Sequence, residues 1–179
     1  MALTQKPLVL SSDGTAFNEL QSGDCLRNSW YRLALFTNVT LTGTTSMTTL
    51  GTYTLKGNTL ASNGRLLVEM TYNFPIAGTT QRTFYVRFGG VSGAIVWNEA
   101  LGAQFRSAKG GTQIVALNAT NSQLSTPSGN LFPQQASGSV LFATAVDTTA
   151  DQDILIMVQP NANTDNVVLA AAEIWILNP

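Results

Sequence analysis

From Leu66 onward the chain alternates: Leu66, Val68, Met70, Tyr72 and Phe74 fall on one face, and Glu69, Thr71 and Asn73 on the other. Successive side chains of a strand point to opposite faces, whereas a helix would scatter these apolar residues around its circumference. The run is therefore a half-buried β-strand, and the rest of the chain must supply its sheet. The period of two returns at Thr83 to Phe88, where Phe84, Val86 and Phe88 alternate with Tyr85 and Arg87, and again at Ile154 to Gln159. Further β-rich runs lie at Thr52 to Leu55, Ala94 to Trp97, Gln113 to Leu117, Val140 to Val146 and Val167 to Leu177. Turn chemistry separates them: Ser62-Asn63-Gly64, Ile76-Ala77-Gly78, Gly89-Gly90, Lys109-Gly110-Gly111, Ser137-Gly138 and Gln159-Pro160-Asn161 supply positive φ or stop a ladder. No long amphipathic helix intervenes. About eight short strands between residues 51 and 179 predict an all-β, antiparallel β-sandwich.

What such a sandwich can do is narrowed by what it lacks. The sequence holds no His and one Cys, Cys25. A Ser-His-Asp or Cys-His relay, a His general base and the His-containing zinc sites are thereby excluded, as are an intrachain disulfide and a thiolate cluster. Hydrophobic residues make up 44% of the chain, so it has a core, while only 11% are charged. Its polar surface is therefore Thr, Ser, Asn and Gln. A net charge of −1 gives no global attraction to nucleic acid or an anionic membrane, and neither is expected as a partner. No run approaches the roughly 18 apolar residues of a membrane span, and the first residues lack the basic and apolar regions of a signal peptide. The expectation is a chain made in the cytosol that stays there.

The first fifty residues differ from the rest. Short apolar pieces, Leu8-Val9-Leu10 and Leu33-Ala34-Leu35-Phe36, are separated by Asp13-Gly14 and Gly23-Asp24 and followed by a Thr-rich stretch. Such pieces close no core alone and need a neighbour to lie on. The division predicted is an extended arm, residues 1–50, and a sandwich, residues 51–179. The closing run Val167 to Leu177 is apolar on both faces apart from Glu173, so one side is expected to meet another subunit through Val167, Leu169, Trp175 and Leu177. Charge is divided too: all nine basic residues lie at or before Lys109, and residues 111–179 carry only acids.

Few constellations invite chemistry. Asp147, Asp151 and Asp153 form the one dense acidic cluster, but its spacing departs from a calcium-binding EF-hand loop, and a solvated loop whose loss leaves folding intact is expected. Glu69 and Glu99 are the best candidates for a glycosidase pair, yet Glu69 sits on an outward strand position where a carboxylate is simply hydrated. Phe88-Gly89-Gly90-Val91-Ser92-Gly93 lacks the Lys-Ser/Thr of a phosphate loop and reads as a tight hairpin, and Arg106 to Gly111 reads as a basic turn. Trp30, Tyr31, Tyr72, Tyr85, Trp97 and Trp175 are expected in core or interface rather than as sugar platforms. No catalytic residue, metal site or cofactor is assigned.

The N-terminus carries a resemblance. Leu3-Thr4-Gln5-Lys6-Pro7-Leu8-Val9-Leu10-Ser11-Ser12-Asp13-Gly14, then Glu19-Leu20-Gln21-Ser22-Gly23-Asp24 and Leu26, resemble a short module of tailed-bacteriophage structural proteins, found in tail fibres and small virion-surface proteins alike. Cys25 stands where that module often has Thr or Ser. The remainder looks like a viral jelly roll by strand count, and Ala171 to Ile176 is similar to the last strand of such domains. The resemblance implies a non-enzymatic virion protein and a homotrimer. One placement is a capsid decoration (cement) protein that binds and braces the major capsid protein. The other is a short tail or head fibre whose jelly-roll tip binds a host surface glycan. In either, the attachment residues are Leu3, Pro7, Leu8, Val9, Leu10, Leu20, Leu26, Leu33 and Phe36.

Overall fold

The computed structural model describes residues 30–75, 81–127 and 141–177, together with the backbone of two three-residue strands ahead of them. Those two, β1 (Leu8–Leu10) and β2 (Phe17–Glu19), pair antiparallel with Leu8 opposite Glu19. The body follows as β3 (Trp30–Leu41), β4 (Thr48–Leu55), β5 (Arg65–Asn73), β6 (Arg82–Phe88) and β7 (Ala94–Leu101). It continues with β8 (Ser107–Ala116), β9 (Gln123–Pro127), β10 (Phe142–Thr144), β11 (Gln152–Pro160) and β12 (Val167–Leu177). The described residues contain no helix.

Pairing follows a simple rule once β9 and β10 are set aside. Strand β6 pairs with β7, β5 with β8, β4 with β11 and β3 with β12, every pair antiparallel. The eight strands are thus one long two-stranded ribbon that closes at the β6–β7 hairpin, where Gly89 and Gly90 adopt φ of 94° and 82°. Rolling that ribbon brings β12 beside β5 and β11 beside β6. The result is a six-stranded sheet, β10-β9-β8-β5-β12-β3, facing a four-stranded sheet, β4-β11-β6-β7. This order is a jelly roll, and the fold is an antiparallel β-sandwich as the alternation predicts. Strands β9 and β10 extend one sheet beyond β8.

The core fills the space between the sheets. Leu66, Val68, Met70, Tyr72 and Phe74 all point inward and are buried, as their spacing requires, and meet Phe84, Val86 and Phe88 from β6. Tyr72 and Phe84 approach to 4.4 Å between ring centroids, and Phe74 and Phe84 to 5.8 Å. Burial pushes the Tyr72 phenol well above its ordinary value of 10, and its hydroxyl donates to Met70 Sδ at 3.4 Å. Beyond this aromatic cluster, Arg82 Nη2 reaches Asp165 Oδ1 at 3.1 Å with both side chains 0% exposed.

The boundary drawn at residue 50 is corrected by these pairings. Trp30–Leu41 is a full strand of the sandwich, bonded along β12, and Leu33 and Phe36 pack against the core rather than project as an arm. Sequence reading missed β3 because it is apolar on both faces and irregular: Leu33 is extra between Arg32 and Ala34 in the ladder, and Asn38 takes a φ of 55°. A bulge and a left-handed residue erase the period that reveals a strand. Strand β9 escaped for the opposite reason, since its inward residues are polar.

That polarity is fully employed. Buried Gln123 donates from Nε2 to the carbonyls of Thr120 at 3.0 Å and Val146 at 2.9 Å, while its Oε1 accepts from Thr144 Oγ1 and Val146 N, each at 3.1 Å. Ser125 and Thr112 hydroxyls donate to the carbonyl of Val96, at 2.7 and 3.2 Å, where a bulge takes Val96 out of the β6–β7 ladder. Gln123→Leu should therefore cost about 2 kcal/mol, because buried partners lose their bonds with no water to replace them. A urea titration showing less than about 0.5 kcal/mol of change would mean that the clamp is dispensable.

Candidate interaction surface

Each sheet has one face in the core and one outside, and the two outer faces differ. On the four-stranded sheet, Leu155 and Met157 of β11 point outward yet are only 3% and 5% exposed. Their cross-strand neighbours, Thr52 and Arg87 beside Leu155 and Thr49 and Tyr85 beside Met157, flank them. Arg87 is itself anchored, donating from Nη1 to the Gly93 carbonyl at 2.8 Å. The remaining outward positions on this face include Thr54, Thr83, half-buried Ile95, Asn98 and Ala100, so a small, mostly polar surface meets the solvent.

The outer face of the six-stranded sheet is built otherwise. Its end row runs Trp30, Leu177, Arg65, Val115, Leu124, Ala143 across all six strands. The next runs Arg32, Trp175, Leu67, Gln113, Thr126, and the third Leu35, Glu173, Glu69, Gly111. Trp30 is 39% and Leu35 49% exposed, while Leu67, Val115, Leu124, Trp175 and Leu177 are half-buried. Arg32, Glu173, Lys109 and Glu69 are paired within the face. Arg32 Nη1 bonds Glu173 Oε1 at 3.1 Å and lies 5.9 Å from the Trp175 ring, Trp175 Nε1 donates to Glu173 Oε2 at 3.3 Å, and Lys109 lies 3.7 Å from Glu69. Arg65 forms no ion pair among the described residues.

Of the four expected interface residues, Trp175 and Leu177 lie on this outer face, whereas Val167 and Leu169 are in the core at 0% exposure. The reason is a bulge. Leu169 and Ala171 oppose consecutive residues of β5, Tyr72 and Thr71, so Ala170 is extra and parity reverses across it. Odd-numbered residues face inward before Ala170 and outward after it, as a one-residue slip demands. Among the expected attachment residues, Leu8, Val9 and Leu10 fall on β1, of which the backbone alone is described, and Leu3, Pro7, Leu20 and Leu26 lie outside the described residues, as does Cys25.

The chemical candidates separate. Glu69 is on the outer face of the six-stranded sheet and Glu99 on β7 of the other sheet, where partial burial raises its carboxyl above the ordinary range. The sheets do not bring them together as a pair. Among the described residues no group of three His, Cys, Asp or Glu side chains is placed to hold a metal ion. The acidic loop is structural rather than idle: Asp151 accepts from Lys56 Nζ at 2.7 Å and Gly57 N at 2.9 Å, Asp147 accepts from Thr149 N and Oγ1, and Asp153 accepts from Thr54 Oγ1 at 2.7 Å. These bonds hold Asp147 and Asp151 below their ordinary value of 3.8, the side-chain bonds from Thr149 and Lys56 contributing most. Each carboxylate thus favours the folded state while ionised. That contribution is full above the ordinary value and is lost as pH falls through the depressed one. Melting temperatures of wild type and Asp151→Asn should accordingly differ at pH 6 and converge in acid, at about pH 2; parallel curves would show that the loop carries no such linkage.

No family model matches this chain, and no curated protein does. Solved structures do. The CBM2 module of the evolved Dit protein of Lactobacillus casei BL23 phage J-1 is 7% identical at a TM-score of 0.35, over 69% of this chain and 67% of that one. The structure of infectious bursal disease virus strain Gx aligns at 10% identity and a TM-score of 0.34, over 94% of this chain and 36% of that one. The VP2 subviral particle of the same virus gives 13% identity and 0.32, over 99% and 47%. The chain thus spans less than half the length of either bursal-disease-virus chain, and its assignment as a jelly roll stands on its own strand order.

Proposed function

We propose that this chain is a non-enzymatic structural protein of a phage virion, a trimeric capsid decoration protein that binds the major capsid shell through its N-terminal segment. One observation carries the reading: a complete jelly-roll ribbon begins at Trp30, so the segment resembling a phage virion module lies wholly ahead of the folded body. The attachment segment is accordingly residues 1–29, shorter than the arm the sequence suggests. The body contributes a rigid sandwich and the segment contributes adhesion, since short apolar pieces such as Leu8-Val9-Leu10 gain stability only against a neighbour. Many weakly favourable contacts repeated over a shell resist its expansion collectively.

Deletion of residues 1–26 should leave a body that melts cooperatively and no longer decorates particles lacking the native protein. Full occupancy by the truncated chain would sink the reading. Quantitative mass spectrometry of virions places it further: on the order of hundreds of copies belongs to a shell, about three to a few dozen to a fibre. A fibre would also bind host glycans in an array screen.

A further inference from the structure

We infer that Asn63, in the loop between β4 and β5, is a site of spontaneous deamidation through attack of the Gly64 backbone nitrogen on its side-chain amide, and that the folded turn holds this reaction back. Reactivity is the first ground. Asn63-Gly64 is the one Asn-Gly pair in the sequence, and every other Asn precedes a residue that carries a side chain. A side chain on the following residue crowds the approach of its nitrogen to the Asn Cγ and narrows the backbone angles that bring the two together; glycine removes both obstacles. Asn63 is also exposed, so water reaches it. The step needs nothing else. As the bond from Gly64 N to Asn63 Cγ forms, the bond from Cγ to Nδ2 breaks, the Gly64 amide proton passes through solvent to the leaving nitrogen, and ammonia departs. Water then opens the cyclic imide at one of its two carbonyls, giving aspartate or the isomer whose main chain runs through the former side chain.

Restraint is the second ground. The Gly64 N–H donates to the Ala61 carbonyl at 2.9 Å, closing a turn with Ser62 and Asn63 at its centre, and the Gly64 carbonyl accepts from Ala116 N at 3.0 Å. Gly64 is buried although Asn63 and Arg65 on either side of it are exposed. The attacking nitrogen is thus committed to one bond and the carbonyl that follows it to another, so the nitrogen reaches Cγ only when the turn opens. Opening a surface turn is a local event that does not require the sandwich to unfold. The product changes the surface. It places a carboxylate two residues before Arg65, which forms no ion pair among the described residues. The isomer also lengthens the main chain immediately before Gly64 and so disturbs the carbonyl that holds Ala116, whereas ordinary aspartate leaves the backbone as it was.

The test incubates the full-length protein at mildly alkaline pH, once in buffer and once in urea that unfolds it, and follows every Asn by peptide mass spectrometry with fragmentation that separates aspartate from its isomer. In urea Asn63 should react before any other Asn. In buffer it should react about tenfold or more slowly than in urea, the ratio measuring how rarely the turn opens. Asn63→Gln, which alters an exposed side chain and leaves the turn intact, should abolish the fast phase of ammonia release in urea. Asn63→Asp should melt as wild type does, while the fraction carrying the isomer should melt lower. Another Asn reacting first in urea, or a fast phase that survives Asn63→Gln, overturns the choice of site. A ratio below about tenfold overturns the restraint assigned to the turn.

Discussion

Asp165→Ala is expected to remove about 3–5 kcal/mol of folding stability, a large part of the 5–15 kcal/mol typical of a domain. The loss comes from the charge left behind. Arg82 is 0% exposed, and its guanidinium lies 4.7 Å from the Phe74 ring centre with Asp165 Oδ1 at 3.1 Å. Among the described residues its Nε and Nη1 have no hydrogen-bond partner, so the Asp165 carboxylate is the main compensation for a cation held away from water. Removing the carboxylate strands that cation, whereas removing both charges leaves no buried ion behind. Arg82→Met combined with Asp165→Leu should therefore be more stable than Asp165→Ala alone, by about 2 kcal/mol or more. Urea titrations of the three variants would decide it. A cost below about 1 kcal/mol for Asp165→Ala would show that the guanidinium does not depend on this carboxylate.

The pair also marks a limit of sequence reading. Arg82 sits at the start of β6 and Asp165 in the turn before β12, 83 residues on, and nothing local distinguishes either from a solvated surface charge. The strands were legible wherever one face meets the core and the other the solvent: β5 and β6 carry that alternation in their residues, whereas β11, covered on both faces, and β12 show as apolar runs. Where both faces are covered or apolar, as in β3, hydrophobicity has no period to show. Where a bulge intervenes, as at Ala170 in β12, the strand is visible but its faces are not, and Val167 and Leu169 lie in the core although they share the parity of outward Trp175 and Leu177. The candidate surface was half legible for the same reason. Trp175 and Leu177 are read from β12 itself, but Leu35, Leu67, Val115 and Leu124 join them only through the ladder, whose order local sequence does not encode.

Trp97 and Gly110 make the same point with a measurable consequence. Lys109-Gly110-Gly111 has the composition of a turn, yet these residues lie in the middle of β8, opposite Thr71, Met70 and Glu69. Gly110 is required there by the other sheet: a Cβ on it would stand 2.8 Å from Cη2 and 2.9 Å from Cζ2 of Trp97, whose indole crosses the core from β7. The side-chain volume of residue 110 is thus occupied by Trp97. Gly110→Ala should cost about 1–3 kcal/mol through overpacking, and Trp97→Ala about 3–5 kcal/mol through the cavity it leaves. Combined, they should cost less than the sum by at least about 1 kcal/mol, because the new methyl enters space that the indole has vacated. Strict additivity in urea titrations would mean that the two residues are not in contact in solution. The expected shortfall would instead show that an apparent turn signal is the imprint of an inter-sheet contact, since the pressure for glycine at 110 disappears once Trp97 is gone.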